Sequence, residues 1–141
     1  MIVPVSESNT REWAELNVAL WPHHTIEEMI EEYLELKPNE FLYYCDNEAA
    51  AFVSLSLRHD YVEGTDSSPV GYLEGIYVKP GFRGKGIARE LVEFAKKWSA
   101  ERGCTELASD CELTNEDSRL FHTQIGFKEA NRIICFTMSL T

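Results

Sequence analysis

One short segment limits the possible folds of this chain more than any other feature. Residues 71–78 form an apolar run typical of a strand, and apolar residues recur at helical spacing from Ile87 to Trp98. Between them, residues 79–86 read KPGFRGKG. A strand that passes through a glycine-rich turn into an amphipathic helix predicts a sheet with helices packed against it.

The same turn has the properties of a phosphate site. Glycines let the backbone approach a ligand closely, and the first amides of the helix have no intrahelical acceptor and lie at the positive end of its dipole. Arg83, Lys85 and Arg89 add positive charge to a chain whose net charge is -11. The glycine spacing matches neither a Walker A loop nor a Rossmann fingerprint. The turn is therefore either a different diphosphate site or a solvated turn that contains glycines by chance.

The rest of the chain alternates strands and helices in a mixed order. Further strands are predicted at residues 2–5, 41–45, 49–57, 105–111 and 132–140, with a tight turn at 46–48. Helices are predicted at 9–20, from Thr25 to before Pro38, from Ile87 to Gly103, and at 115–126. Because no repeat or linker interrupts the pattern, we expect a single α+β (α/β layered) domain over residues 1–141.

Charge and composition exclude several classes of function. A net charge of -11 repels phosphate backbones, so we expect no nucleic acid partner; it favours a cationic small molecule, although acidity alone also serves solubility. No apolar run approaches the roughly 20 residues that span a bilayer, and the first residues do not form a signal peptide. We therefore expect no membrane partner and a cytoplasmic location. The four cysteines have no metal-ligand spacing, so we expect buried thiols and no metal.

Two segments of the second half resemble the GNAT acetyltransferase superfamily. Arg83-x-x-Gly86-x-Ala88 is similar to the turn with which that family binds the pyrophosphate of coenzyme A, and residues 115–127, NEDSRLFHTQIGF, are similar to its second signature. His122 stands where most members have a tyrosine that is often assigned as the acid for the thiolate. The resemblance implies acetyl-CoA as cosubstrate and a GNAT fold, with a central mixed, mostly antiparallel sheet flanked by about four helices. It also implies cofactor contacts at Ile76, Tyr77, Val78, Arg83, Gly84, Lys85, Gly86, Ile87, Ala88, Arg89 and Asn115.

A narrower resemblance extends over most of the chain. Five segments are similar to the aminoglycoside 6′-N-acetyltransferases: LWPHH at residues 20–24, RHDYV at 58–62, Asp66-Ser67-Ser68-Pro69, LEGIYV at 73–78 and ASD at 108–110. This resemblance implies acetyl transfer to the 6′-amine of an aminoglycoside, and hence antibiotic resistance. It also implies that the enzyme is a homodimer, in which residues 133–140 could pair across chains.

Two carboxylates are the candidate catalytic residues. Glu74 lies inside an apolar strand, where burial is costly, so its side chain either faces a wet cleft, pairs with a cation or lies on a solvated face. Asp110 ends a strand just before a helix, where an aspartate can also be a cap. The resemblance places both in the acceptor site, with Glu74 as proton acceptor and Asp110 as substrate anchor or second relay member. It also makes Trp21, His24 and Tyr61 acceptor contacts, although Trp21 could be core and Tyr61 a loop anchor.

Other functions remain open from the sequence. A GNAT enzyme could act on another small amine, such as a polyamine or an amino sugar, and a non-catalytic module could bind coenzyme A without turnover. A cysteine transferase would use Cys104 or Cys111 as nucleophile. Asn131 stands where close relatives of the aminoglycoside enzymes are expected to carry an acidic substrate contact.

Overall fold

The computed structural model describes residues 1–36 and 39–141, which form a five-stranded mixed sheet with helices on both faces. The strand order is β1-β2-β3-β4-β5; neighbours pair antiparallel except for β4 and β5, which are parallel. The strands are β1 (Ile2–Pro4), β2 (Asn39–Cys45), β3 (Glu48–Arg58), β4 (Val70–Val78) and β5 (Leu107–Ser109). This is the predicted mixed, mostly antiparallel sheet.

Helices cover the two faces of the sheet with separate apolar cores. The helices are α1 (Thr10–Leu20), α2 (Ile26–Leu36), α3 (Ile87–Glu101) and α4 (Glu116–Ile125), and a short 3-10 turn spans Pro80–Phe82. On one face, Trp13 of α1 and Met29 of α2 pack with Phe52 of β3. On the other face, Leu91 and Trp98 of α3 pack in a cluster with Leu73 of β4 and further residues of β3. The helical spacing of apolar residues predicted these contacts.

Local sequence signals explain where several elements begin and end. At the start of α2, Glu28 N donates to Thr25 Oγ1 at 3.1 Å and Thr25 N donates to Glu28 Oε2 at 3.3 Å, the two bonds of a capping box. Asp46 and Asn47 have positive φ angles of 51° and 68°, as a two-residue hairpin turn requires. The predicted stop of α2 before Pro38 lies outside the described residues.

Two strand predictions differ from the structure. The strand predicted at 105–111 is confined to Leu107–Ser109, because only these residues find partners on β4. The strand predicted at 132–140 is wrong for the single chain: residues 127–141 contain no strand, and Ile134, Phe136 and Leu140 are exposed. This segment has β-forming composition but no neighbouring strand within the described part of its own chain, and strand stability comes from such neighbours.

A gap opens between β4 and β5. The two strands pair only from Gly71 opposite Leu107 to Leu73 opposite Ser109, after which β5 ends and β4 continues to Val78. Residues 74–78 therefore keep β3 on one side and, among the described residues, have no strand on the other. Within the part of the chain described, no helix is long and apolar enough to cross a membrane.

Candidate active site

The glycine-rich turn adopts a conformation that exposes backbone amides at the start of α3. Gly84 and Gly86 have φ angles of 77° and 82°, in the left-handed region that favours glycine, and the space beside them is open. Glu90 N is the first amide of the helix to bond backward, to Gly86 O at 3.0 Å. The amides of residues 87–89 therefore precede the first intrahelical bond and are suited to bind an anion.

Cations and the unpaired edge of β4 extend this anion site. Arg83, Lys85 and Arg89 are exposed around the turn, and Arg83 Nε donates to Val78 O at 2.8 Å, which ties the turn to the end of β4. The sequence prediction of Ile76–Val78 as cofactor contacts falls on the strand edge that faces the gap. A long thiol carrier with a diphosphate at one end fits this arrangement of a strand edge leading to a helix N-terminus.

Glu74 occupies a special position in the sheet. Ser54 lies opposite Gly75 and the next residue, Leu55, lies opposite Leu73, so Glu74 is the extra residue of a β-bulge. Its side chain is about one third exposed, and both of its oxygens accept hydrogen bonds. Arg58 Nη2 lies 2.8 Å from Oε1 and Arg58 Nε lies 3.1 Å from Oε2, and Ser56 Oγ donates to Oε2 at 2.5 Å. Of the alternatives for Glu74, the structure selects the paired carboxylate at a wet edge.

Asp110 joins the same cluster through Tyr72. The phenol of Tyr72 donates to Asp110 Oδ2, and the Arg58 guanidinium lies 3.4 Å from the centre of the Tyr72 ring. Burial, followed by the bond to Asp110, raises the pKa of Tyr72, so its proton stays on the phenol. The hydrogen bonds that Arg58 donates to Glu74 raise the pKa of Arg58, which keeps its charge. The two predicted carboxylates are thus brought together by Arg58 and Tyr72.

The indole of Trp21 packs next to Glu74, on the backbone of β4. A Cβ on Gly75 would lie 2.4 Å from Trp21 Cη2, so the indole packs directly on the backbone of β4. The indole also packs against Phe52, and the two ring centres lie 6.0 Å apart. Trp21 is therefore both part of the core and a neighbour of the bulge, and glycine at position 75 makes the close approach possible.

The other two predicted acceptor residues have different surroundings. His24 lies two residues before α2, with its Nδ1 3.7 Å from Glu28 Oε2. Tyr61 is 77% exposed on the 59–69 loop, beside Asp60 and Asp66. Among the described residues, neither forms a hydrogen bond or an ion pair with Glu74 or Asp110. Asn131 Nδ2 donates to Glu63 Oε1 at 2.8 Å and so joins the C-terminal segment to the same loop.

Two residues of the second signature have structural partners. Asn115 caps α4, since Ser118 N donates to Asn115 Oδ1 at 3.1 Å. His122 Nδ1 donates to Ser118 O at 2.7 Å, and His122 Nε2 lies 2.8 Å from Ser109 Oγ. Ser109 Oγ in turn donates to Leu73 O at 3.0 Å, at the closed end of the gap.

The expectation of buried thiols is wrong for two of the four cysteines: Cys111 and Cys135 are exposed, and Cys45 is half-buried. Cys104 is buried, and burial raises its pKa, which disfavours the nucleophilic thiolate. Within residues 1–36 and 39–141, no cluster of three histidine, cysteine or acidic side chains could hold a metal ion.

Sequence reasoning missed Arg58, Tyr72, Ser56 and Ser109. Ser54 and Ser56 alternate with Val53, Leu55 and Leu57, which marks one face of β3 as polar. That alternation places Ser56 on the polar face of β3, where it can reach Glu74. No local pattern identified Arg58, because its contact with Glu74 depends on the register of two strands.

Comparisons with known proteins agree on one family. The model of the acetyltransferase (GNAT) family matches residues 6–127. Aminoglycoside N(6′)-acetyltransferase type 1 of Acinetobacter haemolyticus is 38% identical over 142 residues, covering 99% of this chain and 98% of its own. The apo crystal structure of aminoglycoside antibiotic 6′-N-acetyltransferase AAC(6′)-IG from the same organism is 36% identical, with a TM-score of 0.95 over 100% of this chain and 99% of its own.

A second solved structure contains a ligand that spans both halves of the reaction. AAC(6′)-Iy in complex with the bisubstrate analogue CoA-S-monomethyl-acetylneamine is 36% identical, with a TM-score of 0.90 over 99% of this chain and 97% of its own.

Proposed function

Because the chain belongs to the GNAT acetyltransferase family, and within it to the aminoglycoside N(6′)-acetyltransferases, we propose that it acetylates the 6′-amine of an aminoglycoside with acetyl-CoA. The observation that carries this proposal is the near full-length likeness to these enzymes, together with two carboxylates clustered beside the gap of the sheet. Modification of the drug at this amine would confer antibiotic resistance.

The cosubstrate side of the proposal uses the turn and the open edge of β4. The free amides of residues 87–89 and the cations Arg83, Lys85 and Arg89 would hold the diphosphate of acetyl-CoA. The backbone of Ile76, Tyr77 and Val78 would bind the arm that carries the thioester. A backbone amide on this edge would also stabilise the oxyanion that forms on the acetyl carbon.

The acceptor side uses the carboxylate cluster. Glu74 and Asp110 supply two negative charges for a polycationic drug, and the indole of Trp21 supplies a flat surface for a sugar ring. We propose direct attack in a ternary complex: the neutral amine forms the N–C bond, the C–S bond breaks, and the proton of the amine passes to Glu74, directly or through water. His24, Tyr61 and Asn115 remain proposed contacts with the substrates.

A thiol-release assay tests the function. Neomycin B and paromomycin I differ in carrying a 6′-amine or a 6′-hydroxyl, so we expect faster thiol release with neomycin B. Equal release with both, or faster release with simple amines such as spermidine, would contradict the drug-modifying function. Binding of coenzyme A with no release from any amine would identify a non-catalytic module.

Two variants locate the chemistry. Glu74→Gln and Asp110→Asn should lower kcat/KM for the drug while the affinity for coenzyme A stays near wild type. Glu93→Gln is the matched control, since Glu93 is an exposed residue of α3 that pairs with Lys96 at 2.9 Å, away from the cluster.

We further propose that the enzyme is a homodimer that exchanges its C-terminal segment, residues 128–141. This segment carries five apolar side chains that are 65–93% exposed: Ile133, Ile134, Phe136, Met138 and Leu140. Exposed apolar side chains in such number are typical of a surface that binds another protein. The likeness to the apo relative covers the whole of this chain, this segment included. Pairing with a second copy would give the β-forming segment the neighbour that its own chain lacks among the described residues.

The cytoplasm is the proposed location of the enzyme. Acetyl-CoA is an intracellular metabolite, so an enzyme that consumes it has to work where it is made.

A further inference from the structure

We propose that Arg58 is a built-in counterion of the acceptor site, which an ammonium group of the substrate has to replace on Glu74 before acetyl transfer. The exchange makes Arg58 a determinant of specificity for acceptors with several amines. This inference rests on the proposed function and adds to it the role of a residue outside the predicted site.

The contacts of Glu74 engage both of its oxygens, and most of them come from Arg58. Arg58 Nη2 lies 2.8 Å from Oε1 and 3.0 Å from Oε2, Arg58 Nε lies 3.1 Å from Oε2, and Ser56 also donates to Oε2. A carboxylate that accepts this fork of donors is neutralised and geometrically occupied. While the guanidinium stays in place, Glu74 is a weaker proton acceptor and a weaker anchor for an ammonium than a free carboxylate.

The position of Arg58 suits it to be exchanged. The side chains of Arg58 and Glu74 are 43% and 33% exposed, so an ammonium from solution can reach the pair. At this exposure solvent screens the attraction within the pair, so another cation can compete for Glu74. Arg58 is also the last residue of β3, where it pairs with Val70 and the 59–69 loop begins.

The local charges explain why an incoming cation can compete. Arg58 lies between Glu74 and the ring of Tyr72, whose phenol donates to Asp110. With Arg58 in place, the cluster holds two negative charges and one positive charge. A substrate ammonium that takes the place of the guanidinium keeps this balance. Because an ammonium is a compact charge and not a planar fork, it contacts one oxygen of Glu74 and leaves the other for the proton of the attacking amine.

The chemistry of acetyl transfer then selects the acceptor. The amine that attacks must be neutral, so it cannot itself replace the positive charge of Arg58. A different, protonated amine of the same molecule has to do so. An aminoglycoside carries several amines and meets both requirements, whereas a monoamine leaves Arg58 on Glu74 when its single amine is neutral.

Removing the guanidinium should relax this selection. In Arg58→Gln, Glu74 has no guanidinium to release. The kcat/KM for a monoamine, methyl 6-amino-6-deoxy-α-D-glucopyranoside, should therefore rise on the order of fivefold. This factor corresponds to the loss of the ion pair between Arg58 and Glu74. The gain for neomycin B should be smaller, because that substrate replaces Arg58 in the wild type. Arg58→Lys, which keeps the charge without the planar fork, should lie between the two proteins.

Arg102→Gln is the matched control. Arg102 also stacks on an aromatic ring, with its guanidinium carbon 4.2 Å from the centre of Trp98, and it bonds to a backbone carbonyl at the end of α3. Its loss should leave the ratio of the two kcat/KM values unchanged. A gain of function in Arg58→Gln cannot come from a merely structural role, which would lower both values.

Two results would overturn the inference. One is a fall of kcat/KM for both acceptors in Arg58→Gln with an unchanged ratio; the other is a crystal structure of the wild type with neomycin B in which Arg58 still holds Glu74. The crystal structure decides the question even if the variant folds poorly. If instead the wild type releases no thiol with neomycin B at all, the proposed function itself has failed.

Discussion

Replacing Glu40 by Gln should make the protein more stable at neutral and alkaline pH. Glu40 lies on β2 and is only 8% exposed. Its Oε1 accepts a hydrogen bond from Ser54 Oγ at 2.7 Å, while its buried Oε2 has no hydrogen-bond partner among the described residues. Burial raises the pKa of Glu40 from 4.5 to about 8 and outweighs the bond from Ser54.

The sign and size of the effect follow from this pKa. Below about pH 4.5 the carboxyl is protonated in both states, and folding bears no cost. As the pH rises from 4.5 to about 8, the unfolded chain ionises while the folded chain keeps its proton, so the stability contributed by this group falls by about 1.4 kcal/mol per pH unit. At pH 7 the loss amounts to about 3 kcal/mol, and above about pH 8 it is complete.

The glutamine variant removes the titration but keeps the acceptor for Ser54. Its amide nitrogen takes the place of Oε2 and stays unpaired, which costs about 1 kcal/mol at every pH. Glu40→Gln should therefore be slightly less stable than wild type near pH 5 and more stable by about 2 to 4 kcal/mol near pH 8. Urea unfolding of both proteins at about pH 5, 6, 7 and 8 measures the difference.

The pH dependence of that difference is the decisive quantity. Glu93→Gln, which removes an exposed carboxylate, should differ from wild type by a nearly constant small amount over this range. A free-energy difference between Glu40→Gln and wild type that stays constant over the same range would refute the reasoning, since Glu40 would then ionise alike in both states.

Three other changes test separate parts of the structure. Gly86→Ala should raise the Kd for coenzyme A, measured by calorimetry. The φ of 82° at this position strains an alanine by about 1 kcal/mol, although the space for its Cβ is open. An unchanged Kd would exclude this turn from the site. Gly75→Ala should displace Trp21, because the new Cβ would lie 2.4 Å from the indole. The KM for the drug should rise while the Kd for coenzyme A stays unchanged. Equal changes in KM and Kd would indicate general unfolding. If the protein is the proposed dimer, Phe136→Asp should give a 16.1 kDa monomer in analytical ultracentrifugation, because the substitution places a charge in the segment proposed to pair. A dimer that persists would place the interface elsewhere.

Local signals in the sequence predicted most of the fold. The capping box of Thr25 and Glu28, the hairpin turn at Asp46 and Asn47, and the turn before α3 all depend on residues within a few positions of one another. Such signals act through nearby backbone groups, so they are readable without knowledge of the whole fold. The strand predicted at 132–140 failed because its stability depends on a neighbour that the described part of its own chain does not supply.

The candidate site was predictable only in part. Glu74 and Asp110 were found through the resemblance to a family, and their link through Tyr72 and Arg58 was not found. That link requires the bulge at Glu74, which changes the register between β3 and β4 by one residue. Side-chain alternation along a single strand carries no information on where a bulge falls, since the bulge is a property of two strands together.

The closed end of the gap is held by a chain of side-chain bonds, whose hydrogens can be counted. The carbonyl of Ser118 only accepts, so His122 Nδ1 has to donate to it. Ser109 Oγ lies 2.8 Å from His122 Nε2 and 3.0 Å from Leu73 O, and its single hydrogen can be donated to only one of them. Ser109 therefore joins the ring of His122 to the carbonyl of Leu73, one residue before Glu74, so a substitution at His122 should also be felt at this end of the gap.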